Sequence, residues 1–441
     1  MHIEINPMKA SYITLGCKLN YAETATYERG FLKAGFETVP WNGKADLYVV
    51  NTCSVTGQSD RKSRNIIRKL HKTSPEAAIV VTGCYAQLRR QEVEAIEGVS
   101  LVFGSNEKSH LVSDTLAFLE GRKAAVEMAP GAYPDEISGD VFAAFSGGEE
   151  RTRAFLKIQD GCDNFCAYCT VPFARGRSRS ISIEEAVGNA EKIAASGIRE
   201  IVLTGVNTGD FGRRSGESFL ELLKRLDAVE GIKRYRISSI EPNLITEEIV
   251  DWIASGTKFQ PHFHIPLQSG SDTILKDVGR HYDTAFFAER IDYIRKKMNP
   301  APGERNADGT LKPSVFFGID VIAGLPGETD ELFMETYNFL KDRIRPAFIH
   351  IFPYSKRPGT RSALRKDQVQ DCVKTKRVEM LENLCRELHD EFTASQKGVK
   401  ERVLFEDSCH DGMMGGYTGN YIRVERPWDP GLACKIVEVT L

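Results

Sequence analysis

Over the first hundred positions, short apolar runs alternate with longer stretches of helical periodicity. "SYITLG" precedes "NYAETATYERGFLKAG", "DLYVVN" precedes "QSDRKSRNIIRKLHK", and "AIVVTG" precedes "YAQLRRQEVEAIE". Strands rich in Val and Ile, separated by amphipathic helices, predict a doubly wound parallel sheet. In such sheets functional groups gather beyond the carboxyl ends of the strands. The runs "ITLGC", "VVNTC" and "VVTGC" each deliver a thiol there: Cys17, Cys53 and Cys84.

Residues 121–150 are rich in Ala, Gly and Pro without sustained periodicity and read as a linker. A second β/α series follows, with candidate strands "RAFLKIQ", "EIVLTG", "RYRISSI", "HFHIPLQ", "SVFFGIDVIAG" and "FIHIFPY". Six repeats are too few for a closed eight-stranded barrel, so a partial (β/α)6 barrel is expected over 151–397, ending in a long helix. From 398 to 441 the pattern turns strand-like, with glycines between, which predicts a small β-barrel. The fold class is therefore α/β with three domains, at 1–120, 151–397 and 398–441.

Composition sharpens this picture at two points. The formal net charge of −3 over 441 residues excludes a uniformly basic surface, so nucleic-acid binding has to rest on local patches. The start "MHIEINPMKA" lacks a long apolar core and no run approaches a membrane span, so a cytoplasmic protein without membrane attachment is expected. Ten cysteines in that reducing compartment point to metals, clusters or buried thiols rather than disulfides.

"GCDNFCAYC" sets Cys162, Cys166 and Cys169 in a C-x3-C-x2-C array after the first strand of the second series. Three thiolates hold three irons of a cubane that needs four ligands, leaving one iron open. A zinc site is the alternative; it wants a fourth Cys or His, and none lies near. Inert buried thiols are a further alternative, as they are for any single cysteine at a strand end.

The array resembles the radical S-adenosylmethionine (SAM) superfamily, in which Tyr168 matches a habitual aromatic before the last cysteine. That resemblance implies that SAM chelates the open iron and is split to a 5′-deoxyadenosyl radical. It also implies SAM contacts from the later strand ends: Thr204, Gly205 and Asn207 in "LTGVNTG", Ser238 and Glu241 in "SSIEP", Gln268 in "HIPLQSG", and Asp320 and Ile322 in "GIDVIAGLPGET". Taken alone, "LTGVNTG" or "GIDVIAGLPGE" is more often an ordinary strand-to-helix turn.

The amino-terminal triad, the radical SAM core and a carboxyl-terminal barrel together resemble the methylthiotransferase family, the barrel being similar to its RNA-binding TRAM module. The resemblance implies a second [4Fe-4S] cluster on Cys17, Cys53 and Cys84 that supplies sulfur, and two SAM molecules per product. Replacing an aromatic C–H hydrogen by S–CH3 offers no acidic proton to a general base, which is why a carbon radical is needed. "TLGCKLNYAET", "NTCSVTGQSDRKSR", "GCYAQ" and "GCDNFCAYCTVPFARGRSRS" most resemble the branch acting on N6-threonylcarbamoyladenosine in tRNA. The isopentenyladenosine branch reads G-C-Q-M-N at the first cysteine and the protein-modifying branch G-C-P-K-N, where this chain has Lys18 and Leu19.

The implied partners are a tRNA anticodon stem-loop and an electron donor such as flavodoxin or ferredoxin, with the enzyme a monomer. Arg61, Lys62, Arg64 and Arg68, opposed on their helix only by Asp60, are candidate phosphate contacts, as are Arg175 and Arg177. A charge run is also often just a solvated helix face. Either Arg175 or Arg177 is alternatively expected to meet the threonyl carboxylate. Arg423, with Tyr417 and Tyr421, is a candidate RNA contact on the barrel, core packing being the other reading of the tyrosines. Modification of a ribosomal-protein aspartate, of isopentenyladenosine, or an electron-carrier role remain the competing functions.

Overall fold

The computed structural model describes residues 7–121, 144–146, 152–301, 304–305, 309 and 311–441. Five parallel strands form the first sheet, in the spatial order Glu37–Thr38, Lys9–Thr14, Leu47–Thr52, Ala78–Gly83, Val99–Phe103. Leu47 and Val49 point into one apolar layer with Tyr27, Phe31 and Phe103, while Tyr48 and Val50 point into another with Ile67, Leu70 and Val93. Both faces are therefore covered, which is why these strands read as unbroken apolar runs. The expected helix over 85–97 is broken into Cys84–Leu88 and Arg90–Glu94, and the strands Glu37–Thr38 and Val99–Phe103 were not foreseen.

All six strands of the second series form: Arg153–Lys157, Glu200–Thr204, Arg234–Ile237, His262–Gln268, Phe316–Ala323 and Phe348–Pro353. The first three and the last three pair in parallel, and the bridge Ser239↔His264 joins the two sets. The barrel stays open: Arg153–Lys157 takes an antiparallel partner, Ala144–Phe145, instead of closing against Phe348–Pro353. That short strand lies inside the stretch read as a linker, most of which falls outside the described residues.

The last four strands, Lys400–Phe405, Met413–Tyr417, Arg423–Pro427 and Ile436–Thr440, form an antiparallel half-barrel sheet. It is fixed to the central barrel through Glu200, whose carboxylate takes Arg236 at 2.9 Å, with Arg234 at 3.6 Å. Arg236 then donates to the carbonyls of Thr418 and Gly419 at 2.7 and 2.8 Å. No helix among the described residues is long and apolar enough to cross a membrane.

The first sheet docks on the barrel through buried charge. Glu23 Oε1 accepts from Lys157 Nζ at 2.7 Å, Lys108 Nζ at 2.9 Å and Arg175 Nη1 at 3.1 Å. Asp160 receives the same Lys157 and Arg175 at 2.6 and 3.0 Å. Burial alone would raise the Glu23 carboxyl, but Lys108, Lys157 and Arg175 together hold it well below the usual range. A second tie runs from Arg357 to Asp60 and Ser54, both at 2.7 Å.

Candidate active site

The strands carrying the first thiol triad are neighbours in register, Thr14 opposite Asn51 and Thr52 opposite Gly83, so they end at one level. The order of succession reverses between Lys9–Thr14 and Leu47–Thr52, which makes this the switch point of the sheet, where ligands bind. Gly16 (φ +120°) and Gly83 (φ +98°) turn the chain towards the cysteines. A Cβ on Gly16 would lie 2.9 Å from that of Cys53, and one on Gly83 would lie 2.3 Å from the Thr52 carbonyl oxygen. Only glycine allows strand ends this close. Asn20 ties them together, donating to Leu15 O at 2.8 Å and Thr52 O at 3.0 Å.

All ten cysteines are free. Burial, then Cys84 and Cys17, pushes the Cys53 thiol up to about 11, and burial raises Cys84 as well. Thiols such as Cys53 and Cys84, held protonated by burial, become thiolates once a multiply charged cation joins them. This donor set fits an iron-sulfur cluster.

The second triad sits in a loop pinned on both sides, Ala167 N–H to Val278 O at 2.8 Å and Ser362 N–H to Ala167 O at 2.9 Å. Phe165 adopts φ +45°, a conformation that non-glycine residues hold only under constraint. Backbone N–H groups of Asn164 and Val171 reach Cys162 Sγ (3.5 Å) and Cys169 Sγ (3.4 Å), and Arg280 Nη1 reaches Cys166 Sγ at 3.3 Å. Donors aimed at sulfur are what cluster thiolates require. Without a cation, burial pushes Cys169 up to about 12 and raises Cys162.

A cavity of about 290 Å³ opens beside this loop. It is lined by all three loop cysteines and, from the first sheet, by Val55 and Thr56, which follow Cys53. Of the expected SAM contacts, Tyr168, Asn207, Glu241, Gln268, Asp320 and Ile322 line it. Gln268 does so at φ +70°, beside a register shift in its strand. Thr204, Gly205 and Ser238 do not reach it; the hydroxyls of Thr204 and Ser238 are buried behind, and Ser239 takes the lining position instead. Glu241 is bound by Arg280, a residue that the sequence reading passed over.

Two family models match the chain: "Uncharacterized protein family UPF0004" over residues 9–104 and "Radical SAM superfamily" over 156–340. The threonylcarbamoyladenosine tRNA methylthiotransferase MtaB of Bacillus subtilis is 38% identical, the alignment spanning 98% of this chain and 93% of that protein. The chain belongs to the radical SAM methylthiotransferases. The Aquifex aeolicus protein of the same description is 36% identical over 95% of this chain and 97% of its own length. A tRNA-2-methylthio-N(6)-dimethylallyladenosine synthase of Geobacter metallireducens is 31% identical, with 98% and 96% covered. The radical SAM methyltransferase TsrM of Kitasatospora setae shares the fold, at 16% identity and a TM-score of 0.59 over 81% of this chain and 75% of that one. A radical SAM methylthiotransferase carries a [4Fe-4S] cluster and SAM, and Cys162, Cys166 and Cys169 with the adjoining cavity fit both.

The expected RNA contacts fare unequally in this methylthiotransferase. Arg61, Lys62 and Arg68 are exposed on the helix Gly57–Thr73, whose inner side carries Asp60, Ser63, Ile67 and Leu70. Asp60 does not oppose them, since it is turned inward to Arg357. Arg64 donates to Tyr85 Oη at 3.0 Å. Arg423 is exposed beside Glu425 at 2.9 Å. Arg177 lies over the Phe165 ring at 4.8 Å. Arg175 departs from expectation: it is 2% exposed and committed to Glu23, Asp160 and Asn20, so neither phosphate nor substrate carboxylate reaches it. Tyr417 and Tyr421 also face inward, under Arg153 at 4.8 Å and Arg236 at 4.7 Å respectively.

Proposed function

We propose that the enzyme methylthiolates carbon 2 of N6-threonylcarbamoyladenosine beside the tRNA anticodon, with a second [4Fe-4S] cluster held by Cys17, Cys53 and Cys84. The observation that supports this reading is a cavity lined by all three thiols of the loop triad and by Val55 and Thr56, the residues that follow Cys53 of the other triad. When bound, the loop cluster with SAM supplies a hydrogen-abstracting carbon radical and the strand-end cluster supplies sulfur. Residues 1–120 serve as the sulfur-donating unit, 151–397 as the radical unit and 398–441 as an RNA-binding module.

The protein's own part is orientation and exclusion of water. Gln268, Asp320 and Ile322 floor the cavity where a nucleoside lies, and Glu241, held by Arg280, offers its carboxylate to an amino group. Arg280 also reaches Cys166 Sγ, so one guanidinium couples the cofactor's amino end to the cluster loop. Thr56 and Val55 close the cavity from the sulfur side. Arg61, Lys62 and Arg68 supply the phosphate contacts, and a flavodoxin or ferredoxin the electron.

The relatives at 31% identity that act on dimethylallyladenosine are the second reading. Nucleoside mass spectrometry of tRNA, after incubation with reconstituted enzyme, SAM and reductant, separates the two. The proposal expects the threonylcarbamoyl nucleoside to gain a methylthio group. Product on the isopentenyl nucleoside alone refutes it.

A further inference from the structure

The cavity beside the cluster loop has an apolar rim. Of the large apolar side chains left exposed among the described residues, two line it: Val55, 53% exposed, and Phe352, 43% exposed. Single exposed apolar side chains are ordinary, but two lining one cavity mark a groove for an apolar or flat ligand. Phe352 lies in the last barrel strand, Phe348–Pro353, opposite Ile322 in register. That strand has a partner on one side only, so Phe352 stands at the open edge of the barrel. Among the described residues no ring or cation is paired with it.

The same edge is where the first domain is attached. Ser355 Oγ accepts from the Gly57 N–H at 3.1 Å, and Arg357 donates to Ser54 and Asp60, both at 2.7 Å. Residues 352–357 and 54–60 are thus laid against each other, and each segment contributes to the cavity lining, Val55 and Thr56 from one and Phe352 and Ser355 from the other. A ring held at this seam touches the segment that follows Cys53 and shares a cavity with Cys162, Cys166 and Cys169. The expected SAM contacts all come from the barrel, whereas the seam is shared with the first domain, which favours the substrate over the cofactor as the occupant.

Charge prepares the approach. The helix Gly57–Thr73 begins at the seam, capped by Thr56, and carries Arg61, Lys62 and Arg68 on its exposed side. An RNA strand whose phosphates lie along that helix can turn a base into the cavity mouth. Bases in a loop have no complementary strand, so displacing one costs least there.

We propose that Phe352, with Val55, forms the face on which the adenine ring of the substrate nucleotide stacks. The face reads a flat ring and not its N6 substituent, so the inference rests only on the substrate being an adenosine in tRNA. The test measures binding of reconstituted holoenzyme to two anticodon stem-loop RNAs, one with unsubstituted adenosine at the modified position and one abasic there. Wild type is expected to hold the adenosine RNA about 5- to 150-fold more tightly, the range for one base stacked on an aromatic side chain. Phe352→Ala is expected to lose most of that preference while binding the abasic RNA as wild type does, a coupling that a merely structural role would not produce. Phe352→Trp is expected to keep the preference, and Val55→Ala to lose part of it. Equal effects of Phe352→Ala on both RNAs, or no effect on either, overturn the assignment. Weakened SAM binding in Phe352→Ala with the preference for adenosine RNA intact gives the face to the cofactor and overturns it too. A wild-type enzyme that binds neither RNA refutes the tRNA reading itself, and the inference with it.

Discussion

Replacing Glu23 by Gln tests the account of how the two sheets are held together. Its carboxylate is fully buried and receives three cations between 2.7 and 3.1 Å. One such pair at about 3 Å is worth roughly 5 kcal/mol at an effective dielectric of 20, before desolvation is subtracted. In the variant, Asp160 alone would face Lys108, Lys157 and Arg175, so the cost is set by uncompensated buried charge, about 3–5 kcal/mol. That is about a fifth or more of the stability of an ordinary domain. Urea unfolding of the apoprotein, followed by far-UV circular dichroism, should show the loss. The Glu23→Gln/Lys108→Met double variant should recover about 2 kcal/mol of it, because it removes one stranded cation. A Glu23→Gln loss below about 1 kcal/mol, or no recovery in the double variant, would refute the reasoning.

Other outcomes follow from the same contacts. Since the folded-state pKa of Glu23 is depressed, the stability it confers is complete above its ordinary value of 4.5 and drains away as pH falls below that; urea midpoints between pH 3 and 7 should fall on the acid side, and less steeply in Glu23→Gln. Arg280→Met removes a charged donor from Cys166 Sγ, so the loop cluster should become harder to reduce, read as a lower midpoint potential in a redox titration monitored by electron paramagnetic resonance. The Arg61→Glu/Lys62→Glu variant should weaken tRNA binding about tenfold or more at physiological salt and flatten its salt dependence in filter binding, with melting temperature unchanged. Alanine at Cys17, Cys53 or Cys84 should leave about half the iron and continued formation of 5′-deoxyadenosine, with no methylthio product by mass spectrometry.

The architecture was legible where local pattern and burial agree. Val49–Val50 and Val80–Val81 announce strands covered on both faces, and the glycines before Cys17 and Cys84 mark where those strands approach each other. The two triads were legible for the same reason, since each thiol follows a recognisable strand or falls in one short array. Arg175 was misjudged because its burial depends on Glu23 and Asp160, which are distant in sequence and look like ordinary surface acids when read singly. A clue lay in the helix Lys18–Lys33, where Asn20, Glu23 and Thr24 occupy the buried side with Leu19 and Tyr27. A row of polar groups on a buried helix face signals polar partners across the interface. Edge strands such as Glu37–Thr38 carry no pattern of their own, because two exposed residues are paired only by their neighbour.

The two sulfur sites differ in what must happen before each exists. One loop carries all three of its thiols between Cys162 and Cys169, so a local turn is enough to gather them. The other comes into being only after three strands have aligned, and a slip of a single residue would turn its thiols to the wrong side. Under the proposed assignment, protein loaded with iron at the loop alone would split SAM without a sulfur donor.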